Sequence, residues 1–334
     1  MAFSRRFCRH CPGDSENPLS CPSIFVVYGS QTIIILFTKK LPITNPFEET
    51  QMKDEFEFVR LVGNERRVAS TLKGVSRHWQ DDRERFLFIS PHDDDVAIGA
   101  GLLIQLAKRE NVPVHILIAT DGSMGYCTDA EKHTIAQVRK KETFECYQIL
   151  GVPEENIVWL NFPDCQLNNY RGRRTAQPDD KAVINNFTGL QNAFTYYLRK
   201  TKPTQCFLPT SNDLHPDHRI IHAEFLISIF HAAGNIWPEL GAPLEKTPYV
   251  HEMAIYCDFP EPPQLQMRTP VSFLERKLKA IAAFHSQKQI SSVIKIIKNA
   301  GPEEYIRALE FKLYNPRGYR DLFEEKGTID FIHR

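Results

Sequence analysis

Two short stretches of the chain concentrate side chains able to bind a metal ion or move a proton. The first is Ser90-Pro91-His92-Asp93-Asp94-Asp95, an imidazole followed by three consecutive carboxylates. Packed into one turn, such carboxylates repel one another and are costly to keep ionised unless a positive charge sits among them. The second is Ser211-Asn212-Asp213-Leu214-His215-Pro216-Asp217-His218. Its histidines stand three residues apart and Pro216 suits a first helical turn, so both imidazoles can serve one site. One carboxylate and one histidine from the first stretch, with one histidine from the second, make an open three-ligand set. Catalytic zinc takes a set of this kind and keeps its fourth position for water. Each stretch alone also has a bland reading, as a solvated turn or a polar helix start. Their joint placement at two strand ends favours the metal.

The elements that must position these residues alternate. Apolar runs at 86–89, 114–119, 157–160, 205–208 and 249–257 predict strands. Helical spacing predicts helices over 99–110, 132–150, 183–200, 218–231, 271–285 and 303–312, the second stopped by Gly151. Strands alternating with helices argue an α/β, Rossmann-like fold, a mostly parallel sheet with helices on both faces. In such folds the active site lies at the carboxyl ends of the strands, near the switch in strand order. Both His/Asp stretches directly follow a predicted strand.

At 334 residues the chain is one large domain or a domain with appendages. Residues 1–52 are rich in Cys, Pro and Ser and lack a helical period. They read as an atypical extension, disordered or non-native, with Met52 an alternative start; residues 53–334 read as a single catalytic domain. Lys plus Arg and Asp plus Glu both total 41, which removes a general electrostatic reason to expect nucleic acid or an acidic membrane surface as partner. Nothing approaches the roughly 18 uninterrupted apolar residues of a membrane span; 24–37 is broken by polar residues and reads as a strand pair. The eight scattered cysteines form no dense disulfide framework, so a reducing, cytoplasmic setting is expected. Cys8 and Cys11 lack a second pair at zinc-ribbon spacing.

On these residues the chain resembles the LmbE-like or PIG-L family of metal-dependent N-acetylglucosaminyl de-N-acetylases. The family's His-Pro-Asp-Asp-Glu signature is met by His92-Asp93-Asp94-Asp95-Val96, with Gly99-Ala100-Gly101 following. Thr120-Asp121-Gly122-Ser123-Met124-Gly125 corresponds to Thr-x-Gly-Glu-x-Gly. Arg139 to Glu142 and Leu150-Gly151-Val152 match an Arg-x-x-Glu helix ending in Leu-Gly-Val. His215 to His218 keeps His-Pro-Asp-His intact, and Lys279 with His285-Ser286-Gln287 matches a late helix element. Asp93, Val96 and Ser123 depart from the family's Pro, Glu and Glu, which bears on supporting hydrogen bonds and substrate preference.

The resemblance implies hydrolytic removal of an acyl group, acetyl above all, from the nitrogen of a sugar or related small amide. It implies zinc, or another divalent metal, held by His92, Asp95 and His218. Asp94 is then the general base, His215 faces the developing oxyanion, and Arg139 contacts substrate. Arg139 also reads as an ion-pair partner of Glu142. Asp217 caps its helix or orients a histidine, and Asp93 reads as a solvated loop carboxylate. His222 reads as a helix-face histidine and His115 as a core one. The loop 166–181, with Arg171, Arg173 and Arg174, is a solvated basic loop or a clamp for an acidic substrate group. Two rivals stand beside this reading: a Mg- or Mn-dependent phosphoesterase, and a Rossmann-like binding protein without catalysis. A homo-oligomer is compatible with all three.

Overall fold

The computed structural model describes residues 26–28, 31–33, 55–311 and 314–324. Its main sheet has nine strands: β1 (Glu57–Val62), β2 (Glu65–Ala69), β3 (Phe86–Ser90), β4 (Val114–Thr120), β5 (Ile157–Phe162), β6 (Gln205–Pro209), β7 (Tyr249–Met253), β8 (Leu265–Arg268) and β9 (Glu303–Leu309). Their order across the sheet is β2-β1-β8-β9-β7-β6-β3-β4-β5.

Strand β3 is buried along its whole length, and its side chains divide by the two-residue period of a strand. Phe86 and Phe88 join one core with α1 (Asp95–Arg109), α2 (Ile135–Ile149) and α5 (Val271–Ile281). Leu87 and Ile89 join a second core with α3 (Leu190–Thr201) and α4 (Pro216–Ala233). Helices therefore cover both faces of this region.

From β7 through β6, β3 and β4 to β5 the strands run parallel. Chain order reverses between β3 and β6, so the loops leaving these two strands flank the switch point. Those loops carry the two His/Asp stretches.

The other half of the sheet corrects the expectation of a mostly parallel arrangement. Of the eight strand pairings within this sheet, four are parallel and four antiparallel. Parallel neighbours need a long crossover, whereas β1 and β2 are joined by the two-residue turn Gly63-Asn64 and pair antiparallel. The segment predicted as a helix over 303–312 is strand β9. Its Glu and Ala content suits a helix, but Glu304 and Ile306 turn inward while Tyr305 faces out, a period of two. Tertiary pairing with β7 and β8 overrides the local preference.

One inward residue of β9 shapes α1. The helix breaks at Ala100 (φ −144°, ψ 24°), and the backbone N–H groups of Leu102 and Leu103 donate to the Glu304 carboxylate at 2.7 and 2.8 Å. Lys277 Nζ lies 2.7 Å from the same carboxylate, and both side chains are buried. A Cβ at Gly101 would stand 2.9 Å from the Lys277 stem, so this approach requires glycine. The first turn of α1, which carries Asp95, is thus set off from the rest of the helix.

Within 24–37, strands Val26–Tyr28 and Gln31–Ile33 pair antiparallel. Most of the 1–52 extension, and with it the reading of that segment, lies outside the described residues. No helix among the described residues is long and apolar enough to cross a membrane.

Candidate active site

Three ligand-type atoms converge where the loops after β3 and β6 meet. His92 Nδ1 is 3.1 Å from Asp95 Oδ2, His218 Nε2 is 3.1 Å from the same oxygen, and the two ring nitrogens are 3.3 Å apart. Tetrahedral zinc with ordinary bond lengths separates its ligand atoms by about 3.3 Å. The triangle therefore has the dimensions that a small divalent ion requires. Asp95 is wholly buried, and its other oxygen, Oδ1, has no hydrogen-bond partner among the described residues. A buried carboxylate oxygen in that position calls for a cation.

Each imidazole is backed by carboxylates on its far side. His92 Nε2 is 3.3 Å from Asp164 Oδ1 and 3.5 Å from Asp217 Oδ2. His218 Nδ1 lies 3.1 Å from Asp213 Oδ2. Carboxylates at this distance draw the ring proton to the facing nitrogen and leave the other to bind metal, by charge rather than by a hydrogen bond at His218 Nδ1 and Asp164 Oδ1. The backbone holds them in turn. Asp164 accepts from the Met124 N–H, and Asp217 from the Cys165 N–H.

The electrostatics of the cluster favour positive charge. Burial pushes the His218 imidazole down, but Asp95 and Asp213 outweigh it and lift the ring to about 9. Against the same burial, Asp95, Asp164 and Asp217 hold His92 well above its ordinary value. Burial would raise Asp164, yet His92 draws it down to about 2. Protons and a metal ion compete for such a site.

Asp94 stands beside the triangle, buried, and its Oδ2 accepts from Gln287 Nε2 at 3.0 Å. Burial, and then the charge of Asp95, raises its pKa. His215 is the N-cap of α4, where its Nδ1 accepts from the Asp217 N–H at 3.3 Å. Its ring packs edge-on against His92, centroids 4.6 Å apart, and ring nitrogens of His92, His215 and His218 lie within 4.8 Å of one another. Burial, then His92 and His218, pushes His215 down to about 4. The ring is neutral near pH 7, and because Nδ1 accepts, its proton resides on Nε2.

Two expectations need correction here. Asp93 is not a solvated loop carboxylate. It is fully buried and 2.9 Å from Arg139 Nη1. Arg139 pairs with Asp93 rather than with Glu142, which instead accepts from the Ser286 N–H and hydroxyl at 2.8 and 2.7 Å. The guanidinium is buried beneath the loop after β4, where a Cβ on Gly125 would stand 2.5 Å from Arg139 Cζ.

The loop arginines also find partners within the chain. Arg171 meets Glu224, Arg173 meets Glu239 and Asn192, and Arg174 meets both oxygens of Asp180. His222 binds Glu252. Of the late helix residues, Gln287 reaches the site, while His285 and Lys279 are exposed.

The reading of the sequence missed Asp164 and Asp213. Asp164 follows β5 by two residues, at the same end of the sheet as both motifs, so its position was the available signal. Asp213 sits inside the second stretch but outside its His-Pro-Asp-His core.

Residues 87–228 match the model of the PIG-L family, described as GlcNAc-PI de-N-acetylase. A diacetylchitobiose deacetylase from Thermococcus kodakarensis is 34% identical over 151 residues, which is 44% of this chain and 48% of that protein. The chain thus spans about half the length of this curated relative. A probable N-acetyl-alpha-D-glucosaminyl L-malate deacetylase from Bacillus cereus is 25% identical over 61% of this chain and 83% of its own. Among solved structures, N,N'-diacetylchitobiose deacetylase from Pyrococcus horikoshii superposes with a TM-score of 0.54 at 25% identity, covering 68% of this chain and 84% of that one.

Proposed function

We propose, for a chain whose residues 87–228 match the PIG-L family model, that the protein is a zinc-dependent hydrolase removing an acetyl group from the nitrogen of an N-acetylated sugar. One observation carries this reading: the compact triangle of His92 Nδ1, Asp95 Oδ2 and His218 Nε2, with the Asp94 carboxylate beside it. Two imidazoles and one carboxylate suit zinc. Magnesium and manganese prefer oxygen ligands, so the donor set disfavours the phosphoesterase alternative. Held there, a divalent cation supplies Lewis-acid stabilisation of charge on the amide oxygen and acidifies water at neutral pH.

The chain's own residues account for the proton movements. Asp94, oriented by Gln287 and made more basic by burial, takes the proton of the attacking water. The Nε2–H of His215 donates to the oxygen on which charge develops. Asp94 then returns its proton to the departing amine, which restores the carboxylate. Asp164, Asp213 and Asp217 hold the imidazoles in register throughout. Arg139 acts through Asp93, fixing the turn that presents Asp94 and Asp95.

A sugar substrate is supported by the names of the curated relatives, one for diacetylchitobiose and one for an N-acetylglucosaminyl malate. A cytoplasmic setting belongs to the same proposal and is supported by the free cysteines Cys127, Cys146, Cys165, Cys206 and Cys257. The test is a screen of N-acetylglucosamine, diacetylchitobiose and N-acetylglucosaminyl malate, scoring free amine and acetate together. Equal amounts of the two products are expected, lost on chelation and restored by zinc. Full activity in metal-free protein, or no amine from any N-acetylated sugar, contradicts the proposal.

A further inference from the structure

At the opposite end of the parallel strands from the His/Asp cluster, a cavity of about 840 Å³ opens beside the starts of β6 and β7. Arg60 and His251 lie at its base. Three arginines are buried among the described residues, and two are well satisfied. Arg139 has Asp93, and Arg199 donates to six backbone carbonyls. Arg60, 7% exposed, makes no side-chain hydrogen bond or ion pair with any described residue, and its Nε is completely enclosed. His251, on β7, stacks on Phe207 with centroids 5.0 Å apart, and neither of its ring nitrogens has a partner among the described residues.

A guanidinium does not deprotonate in proteins, so a buried one needs a counter-charge. Around the mouth stand Arg77 and Lys246, with Glu245 and Glu310 as the acidic residues. Glu310 is already engaged by Arg77 at 3.4 Å. A flat wall is provided by His78 stacked on Tyr249, centroids 3.9 Å apart and planes 3° from parallel.

We infer that this cavity is a second binding site, separate from the proposed catalytic cluster, for a small molecule carrying a phosphate group. The phosphate oxygens accept from the terminal N–H groups of the Arg60 guanidinium, and the rest of the molecule lies towards the His78–Tyr249 wall. A guanidinium fork matches a tetrahedral oxyanion, and the cavity volume is of the size that takes a cofactor-sized ligand. The surrounding charge agrees: burial, with Arg60 and His78, pushes His251 down to about 3, as expected in a positive field. The site does not depend on the deacetylase reading.

Calorimetric titration of the full chain with inorganic phosphate, adenosine monophosphate and adenosine, at constant ionic strength, tests it. Phosphate and the monophosphate are expected to bind and adenosine is not. Tighter binding of the monophosphate identifies an organic phosphate as the occupant, and equal binding identifies free phosphate. Arg60→Gln should weaken binding by about tenfold or more, the scale of one lost charge-assisted hydrogen bond. His218→Ala, at the other end of the sheet, should leave it unchanged. Should Arg60→Gln fail to fold, the exposed double variant Arg77→Gln/Lys246→Gln carries the test, with weaker binding expected. No binding to the unaltered protein overturns the inference. So does undiminished binding in the cavity variants, or loss of binding in His218→Ala.

Discussion

In the parallel half of the sheet, strands such as Phe86–Ser90 and Gln205–Pro209 are buried at every position, and the charged residues gather in the loops beyond their ends. In the antiparallel half, charges sit along the strands themselves. Residues Glu65–Arg67 of β2 are exposed, while Arg60, Glu304 and Arg307 stand within β1 and β9. The difference is physical. A strand covered on both faces has no place for a charge except its ends, so side chains that bind metal and move protons collect there. A strand with one open face can carry charges outward freely, and inward-turned charges such as Glu304 and Arg307 serve as fasteners. Glu304 ties β9 to α1 and Lys277, and Arg307 meets Glu252, which also holds His222.

The strongest way to break this contrast is Glu304→Ala. It leaves Lys277 buried without its partner and two α1 N–H groups unsatisfied, so unfolding in urea should show a loss of roughly 3–5 kcal/mol. A loss below about 1 kcal/mol would put Glu304 among ordinary surface charges.

A pH experiment sharpens the comparison at His251. Its folded pKa, about 3, lies below the unfolded value near 6.5, so the unfolded chain binds the extra proton between those values. The stabilisation is therefore complete above about pH 6.5 and is lost as pH falls towards 3, by about 1.4 kcal/mol per unit. Stability against pH for His251→Phe should fall less steeply over that window than for the unaltered chain. Parallel curves would mean that His251 titrates alike in both states.

The smallest effect is expected from Arg268→Ala. This residue of β8 is nearly half exposed and pairs outward with Glu303 and Glu57. A change of about 0–1 kcal/mol in the same urea assay is predicted. A loss matching that of Glu304→Ala would erase the distinction between inward and outward charges.

The same contrast explains what could be read from the sequence. Strands β3 to β7 announce themselves as apolar runs, and the two His/Asp stretches follow them directly, so the α/β architecture and the residues at the switch point were legible. Strands β1, β2 and β8 lack such runs, and β9 is composed like a helix; their identity depends on neighbours distant in the chain. Asp93 was misjudged for a related reason. A carboxylate in a loop looks solvated until Arg139, 46 residues away, is seen to cover it. Asp164 and Asp213 are single acidic residues with no local pattern, and only the folded chain brings them behind the two imidazoles.

The central claim is that His92, Asp95 and His218 hold the metal while Asp94 moves the proton. The most direct test measures zinc content and kcat together in Asp94→Asn, Asp95→Asn and His218→Ala. Asp94→Asn should retain about one zinc per chain while kcat falls by roughly 10²–10⁴, as for a lost general acid–base group. Asp95→Asn and His218→Ala should lose zinc and rate together. Zinc shed by Asp94→Asn but kept by Asp95→Asn would contradict this division of roles, and full activity in all three variants would place the chemistry elsewhere.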